Sequence, residues 1–236
     1  MSRVIVFADV HAPYSHHQYL SFVRYTQLEY KNDTVVCGGD ITDQMNLSRH
    51  QTETDAMGER EEFDLTIKEL NKWVQHFPKL KMCQSNHDSI FQRQGATVGL
   101  GKRFVKSFNE VFGLPSTWEM AFTHEIDGVL YLHQGNANLM AYASVAGQSV
   151  VASHRHSQSG VKWQTNPKGK SIFALDTGSG ADSDALAFKY GKHSVKKAVL
   201  SCGVIIDGKQ AHVINMDMDF DYNGYMLFHE KQKEMK

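Results

Sequence analysis

Five short motifs carry side chains able to hold a divalent metal: Asp9-Val10-His11, Gly39-Asp40-Ile41-Thr42-Asp43, Ser85-Asn86-His87-Asp88, His133 and Ser153-His154-Arg155-His156. Asp, Asn and His together give mixed oxygen and nitrogen donors, which suit borderline ions such as Mn, Fe or Zn. In Asp9-x-His11 and His154-x-His156 the two side chains share one face of an extended segment, because side chains alternate with period two. Such a set suits hydrolysis of a phosphate ester, which needs a nucleophile and neutralisation of the non-bridging oxygens. Two ions ~3.5–4 Å apart supply both, with a bridging carboxylate to set their spacing. An acid beside the leaving oxygen completes the site. Taken singly, each motif has a blander reading: Asp-x-His arises by chance, His133 could be a satisfied core histidine, and His154 and His156 could sit in a solvated turn. Their order, and their shared position at the ends of apolar runs, favour the metal reading.

The elements that must position these residues are legible in outline. Residues 3–8, 33–37 and 80–83 read as short buried strands, each followed at once by a polar motif. Residues 128–133 and 150–152 read the same way, ending at His133 and just before His154. Residues 19–30 and 138–149 suit helices. The clearest helix is 58–77, where Phe63, Ile67, Leu70, Trp73, Val74 and Phe77 recur at three- and four-residue steps until Pro78 ends it. Residues 170–175, 198–206 and 211–216 read as strands, the last two joined by an Asp207-Gly208 turn. The expected fold class is α/β: a four-layer α-β-β-α sandwich, two mixed sheets flanked by helices, with ligands gathered at a rim where strands end. The charged run 229–236 reads as a frayed tail.

Bulk properties narrow the field. The 236 residues suit one domain spanning 1–236, with 41% hydrophobic and 22% charged residues. A net charge of -1 gives no long-range field to draw in nucleic acid. One local stretch, 93–112, holds Arg93, Lys102, Arg103 and Lys106 with Phe104 and Phe108. It reads either as a nucleic-acid contact or as an amphipathic helix with a solvated basic face. Cys37, Cys83 and Cys202 form no CxxC pair and read as buried strand thiols in a reducing compartment. Neither a signal peptide nor the ~20 apolar residues of a membrane span is present, so the expected location is cytoplasmic, with no membrane partner.

The five motifs resemble the signature of the calcineurin-like metallophosphoesterase superfamily: D-x-H, G-D-x-x-D, G-N-H-D/E, a lone His and G-H-x-H. The resemblance runs from residue 9 to 156. It implies two divalent ions, manganese first, with Fe, Zn, Ni or Co as alternatives. One ion would take Asp9, His11 and His156, the other Asn86, His133 and His154, with Asp40 bridging. It further implies hydrolysis of phosphate esters, as a phosphodiesterase, by a hydroxide bridging the metals, with His87 contacting the phosphate and protonating the leaving group. Asp43 and Asp88 would orient ligands or His87. The chain is similar to small stand-alone phosphoesterases of bacteria and their phages. A DNA or RNA nuclease of the same superfamily is the alternative, since Asn86-His87-Asp88 matches the repair nucleases. A protein phosphatase lacks support, because the Arg-Gly expected after Asp43 is missing, and a non-catalytic scaffold is disfavoured by the complete ligand set. Ser85 and Ser153 stand where the signature has glycine, which implies a modest geometric change. His16 and His17, Asn136 and Asn138, and the Gly/Ser/Asp-rich 176–190 segment could also approach the site, although a surface role fits the two histidines equally well and a solvated loop fits the two asparagines better.

Overall fold

The computed structural model describes residues 2–48, 56–135, 137–166, 169–185 and 197–234. The chain opens with β1 (Arg3–Phe7), α1 (Tyr19–Tyr30), β2 (Thr34–Cys37), α2 (Glu59–His76) and β3 (Leu80–Cys83). Two short helices, α3 (Ile90–Thr97) and α4 (Phe108–Phe112), lead to β4 (Trp118–Ala121), β5 (Thr123–Ile126) and β6 (Val129–Leu132). Then come α5 (Leu139–Ala146), β7 (Ser149–Ala152), β8 (Ser159–Thr165), β9 (Ser171–Thr177), β10 (Ser201–Ile206), β11 (Gln210–Asn215) and α6 (Tyr222–Glu234). Among the described residues, one sheet has the order β11-β10-β1-β2-β3-β4 and the other β5-β6-β7-β9-β8. Each mixes parallel and antiparallel pairs: β1 runs parallel to β2 and antiparallel to β10, and β7 parallel to β9, which is antiparallel to β8.

Strand alternation sorts the apolar side chains into three packed layers. Val4, Val6, Val36 and Cys83 of the first sheet meet Val129, Tyr131, Val151, Phe173 and Leu175 of the second. The intervening residues Ile5, Phe7, Val35, Cys37, Leu80 and Met82 face Phe22, Val23, Leu70, Trp73 and Phe77 of the covering helices and their ends. On the far side Val150, Ala152, Ile172 and Ala174 pack on Leu139 and Ala143 of α5. This is the four-layer sandwich expected from the sequence. Strands buried on both faces read as continuous apolar runs, as β1 and β2 do. Trp73 stacks on Phe7 with ring centroids 4.4 Å apart. Burying each such side chain contributes about 1.5–3 kcal/mol.

Several elements were not expected. β4 and β5 are short and β8 is largely exposed, and the C-terminal charges lie on α6, whose Tyr222 and Met226 are buried against the body. The segment read as a frayed tail is therefore helical through Glu234, because one apolar stripe docks it. Residues 93–112 do not form one amphipathic helix either. α3 ends at Thr97, Gly99 turns the chain at φ 80°, and α4 starts only at Phe108. Asp207 and Gly208 both have positive φ, 52° and 62°, as a two-residue hairpin of twisted strands requires. No helix among the described residues is long and apolar enough to cross a membrane.

Candidate metal centre

Asp9 and His11 follow β1, Asp40 follows β2, Asn86 and His87 follow β3, His133 follows β6, and His154 and His156 follow β7. β1, β2 and β3 run parallel in one sheet, and β6 and β7 in the other. Their C-terminal ends therefore share a rim, and the two rims face each other. The polar side chains converge there, and Asp9, His11, Asp40 and His133 are all at most 3% exposed.

The local backbone is unusual. Asp9, His11, Asp40 and His154 adopt left-handed conformations, with φ of 52°, 52°, 51° and 74°. Asp and His enter this region more readily than most residues, yet each instance costs of order 1–3 kcal/mol. Interlocking main-chain bonds hold them: Asp9 N donates to Gly39 O at 3.0 Å and His11 N to Asp40 O at 3.0 Å. Gly39, at φ 101°, is required by crowding, since a Cβ there would lie 2.7 Å from Ser85 Cβ and 2.9 Å from His133 Nδ1. Ser85 and Ser153, which replace signature glycines, take no positive φ. Their hydroxyls are used instead. Ser153 Oγ donates to Gly38 O at 2.7 Å, and Ser85 Oγ to Asp88 at 2.6 Å.

The side chains form two groups that share Asp40. One is Asp9, His11, Asp40 and His156; the other is Asp40, His133 and His154. Asn86 joins the second through Oδ1, 2.8 Å from His133 Nε2. Asp40 Oδ2 is 3.2 Å from His133 Nε2 and 3.8 Å from His11 Nε2. All seven residues are thus brought together. A third group, His11, Asp43 and His87, has a different character. Its short contacts are hydrogen bonds: His11 Nδ1 donates to Asp43 Oδ2 at 2.8 Å and His87 Nδ1 to Asp43 O at 2.7 Å. Asp43 therefore orients two rings.

These bonds fix tautomers. A proton on Nδ1 of His11 leaves a lone pair on Nε2 of the neutral ring. His133 Nδ1 donates to Gly38 O at 3.0 Å, with the same result. His133 Nε2 then faces the acceptor oxygens Asn86 Oδ1 and Asp40 Oδ2 at 2.8 and 3.2 Å, with His154 Nδ1 also 3.2 Å away. Electron pairs crowded in this way require a cation or a proton among them. A donor set of two carboxylates, one amide oxygen and four imidazoles fits divalent metals of the borderline class.

Titration follows the same logic. Burial alone would lower the His133 pKa, but its hydrogen bond to Asp40 and the charges of Asp40 and Asp9 outweigh it and hold it at about 9. Burial would raise Asp40, yet His133, His11 and His87 keep its carboxyl well below the usual range. Burial and the charge of His133 push His154 down, whereas at His156 the charge of Asp9 overcomes burial and raises it. Asp88, fully buried and beside Asp40, is pushed up by both.

Asp88 does not touch the His87 ring. It accepts from Thr42 N and Thr42 Oγ1, both at 2.9 Å, and so clamps the turn after Asp40. Gln44, unremarked in the sequence, donates to His87 O at 2.9 Å and accepts from Phe91 N. Ser179 and Gly180, within the 176–190 segment, both donate to Asp9 O at 3.0 Å. Their only sequence signal was the Gly-Ser-Gly composition of that loop. Residues 186–190 and Asn136 lie outside the described residues. Asn138 caps α5, accepting from Ala141 N at 3.1 Å, and His16 and His17 join none of the metal-competent groups.

Solved structures similar to the chain include three at 12% identity or less. Vacuolar protein sorting 29 from Cryptosporidium parvum has 12% identity and TM-score 0.45, covering 91% of this chain and 96% of that one. Yfce, a phosphoesterase from E. coli, has 11% identity and TM-score 0.44, covering 91% and 100%. The hypothetical protein PH1004 from Pyrococcus horikoshii has 8% identity and TM-score 0.49, covering 98% and 94%. Among curated proteins none matches the sequence. The family profile described as calcineurin-like phosphoesterase matches residues 2–185 and so spans every motif above. On that match, over more than three quarters of its length, the chain belongs to the calcineurin-like phosphoesterase family.

Proposed function

We propose that the protein is a dinuclear metal-dependent phosphodiesterase, acting as one domain. Asp9, His11 and His156 would hold one divalent ion, Asn86, His133 and His154 the other, with Asp40 between them; manganese is the first choice. The crowding of acceptor atoms around His133 Nε2 is the observation that carries this reading. Bound there, the ions would neutralise the non-bridging phosphate oxygens and make water acidic enough to attack near neutral pH.

The remaining chemistry belongs to the chain. Water adds to phosphorus, the P–O bond to the leaving group breaks, and the leaving oxygen needs a proton. His87 is the donor, from Nε2. Its Nδ1 proton is committed to Asp43 O at 2.7 Å, and Asp43 Oδ2 lies 4.0 Å from the same nitrogen. Gln44 fixes the backbone of His87 from below. Asp43 and Asp88 are positioning residues, acting on rings and on the Asp40 turn respectively.

Free, buried thiols at Cys37, Cys83 and Cys202 favour a reducing, cytoplasmic setting. Hydrolysis of bis-p-nitrophenyl phosphate by the metal-loaded protein tests the proposal. Turnover with Mn²⁺ is expected, and no turnover with any of Mn, Ni, Co, Zn or Fe would overturn it.

A further inference from the structure

Between Asp88 and Glu110 the chain carries Arg93, Lys102, Arg103 and Lys106 and no acidic residue, in a protein of net charge -1. All four cations are exposed. The fold brings out apolar side chains beside them: Val98, Leu100 and Phe104 are 75%, 49% and 73% exposed. A solvated amphipathic helix would do the opposite and bury its apolar side. The Arg103 guanidinium carbon lies 5.7 Å from the centre of the Phe104 ring. Clustered exposed apolar groups mark an interaction surface.

This patch is tied to the metal centre through α3. The loop after α3 folds back on it, with Leu100 N donating to Gly95 O at 3.0 Å and Val105 packed so that a Cβ on Gly95 would lie 3.3 Å away. α3 also forms one wall of a cavity of about 440 Å³, lined by Asn86, His87, Ile90, Arg93, Gln94 and Thr97 among others. That volume falls within the range of ligand pockets, roughly 300–1,000 Å³. The cavity adjoins the proposed acid, so it is where a leaving group would sit. Arg93 Nη2 donates to Asn86 O at 2.5 Å, the only hydrogen bond of its side chain among the described residues, which anchors a guanidinium at the cavity mouth.

We propose that this surface binds a single-stranded polynucleotide running from the cavity beside His87 across α3 to Phe104. The proposal rests on the phosphodiesterase reading above and names its substrate class. A base would stack on Phe104, and backbone phosphates would face Arg93, Lys102, Arg103 and Lys106. Stacking with flanking cations recognises any unpaired strand, whereas a duplex hides its base faces. The step is the same hydrolysis: water adds to the scissile phosphorus, one P–O ester bond breaks, and the departing strand's oxygen takes the proton from His87. An anionic membrane would also attract cations beside exposed apolar groups, but it would not explain their continuity with a cavity at the phosphodiester site.

The test compares Phe104→Ala and the triple variant Lys102→Ala/Arg103→Ala/Lys106→Ala with the wild type, all Mn²⁺-loaded. Each is assayed on bis-p-nitrophenyl phosphate, single-stranded DNA and single-stranded RNA, and in sedimentation with phosphatidylserine vesicles. The wild type should cut at least one of the two strands. Phe104→Ala should raise KM for that strand about ten-fold, the loss of one stacked base. The triple variant should flatten the dependence of log KM on log salt by about 2, at roughly 0.7 per phosphate contact. Small-diester turnover should be unchanged in both. Cleavage of the small diester with neither strand cut would overturn this proposal alone, and would leave the patch to a protein partner. Vesicle binding abolished by Phe104→Ala, with strand cleavage intact, would overturn it in favour of a lipid surface. Failure on the small diester as well would sink the underlying phosphodiesterase reading.

Discussion

The Nε2 atoms of His11 and His156 lie 3.1 Å apart. Both belong to rings fixed by other contacts, His11 through Asp43 and His156 beside Asp9 Oδ1 at 3.1 Å. At that separation the two nitrogens can share at most one proton. A divalent ion should therefore stabilise the folded protein. At a free concentration 100 times its Kd, it would contribute about 2.7 kcal/mol. For a chain of this size that shifts Tm by roughly 5–11 °C. Thermal melts with and without excess Mn²⁺ and EDTA measure it; identical melts with every ion of the panel would contradict a metal centre.

Replacing the proposed acid separates proton donation from metal binding. His87→Ala should lower kcat for an alkyl diester, whose leaving oxygen needs a proton, by about 10²–10⁴. The loss on bis-p-nitrophenyl phosphate should be far smaller, since nitrophenolate leaves unaided. The metal-induced rise in Tm should persist. Equal losses on both esters would remove His87 from the role of acid.

The metal-free protein should be most stable in mildly acid solution. His133 is raised from 6.5 to about 9 in the fold, so its contribution is complete below pH 6.5 and is lost as pH rises through 9. Asp40 is lowered from 3.8, so its contribution is complete above pH 3.8 and is lost as pH falls. Tm in EDTA should peak between these limits. Asp40→Asn should remove most of the decline on the alkaline side, which melts at a series of pH values would reveal.

Asp88 supports the site without touching a proposed ligand side chain. Asp88→Ala would strand Thr42 N, Thr42 Oγ1 and Ser85 Oγ in a buried space. At about 1–3 kcal/mol for each unsatisfied group, the loss should reach about 3 kcal/mol or more. A urea midpoint unchanged from wild type would show that these donors find other partners.

The sequence made the metal-competent residues visible for a physical reason. Asp9, Asp40, Asn86, His133 and His154 each lie at or just past the end of an apolar run, and the run itself announces the strand that delivers them. Part of what supports them was silent. Gln44 and Ser179 act on residues up to 170 positions away, through approaches that only the assembled sheets create, and Asp88, named as an orienting residue, turned out to hold the Thr42 turn. Glu62 is similar: a charge in the first turn of α2, ordinary in sequence, is buried where it accepts from Met45 N and Asn46 N. β8 was missed because Lys162, Trp163, Gln164 and Thr165 lie exposed at a sheet edge, so burial imposes no pattern on them. α6 was masked by its charges, since only a narrow stripe including Tyr222 and Met226 is buried.

The seven proposed ligands all lie between residues 9 and 156, yet a fragment of that span would not be a portable enzyme. β10 pairs with β1 from Arg3 to Val6, in mid-sheet. Truncation before it would leave β1, the strand that carries Asp9 and His11, as a raw edge open to aggregation. It would also free the Asp9 carbonyl if the cut preceded Ser179 and Gly180. The smallest transplantable unit must therefore reach past the motifs to β11, about sixty residues beyond the last ligand.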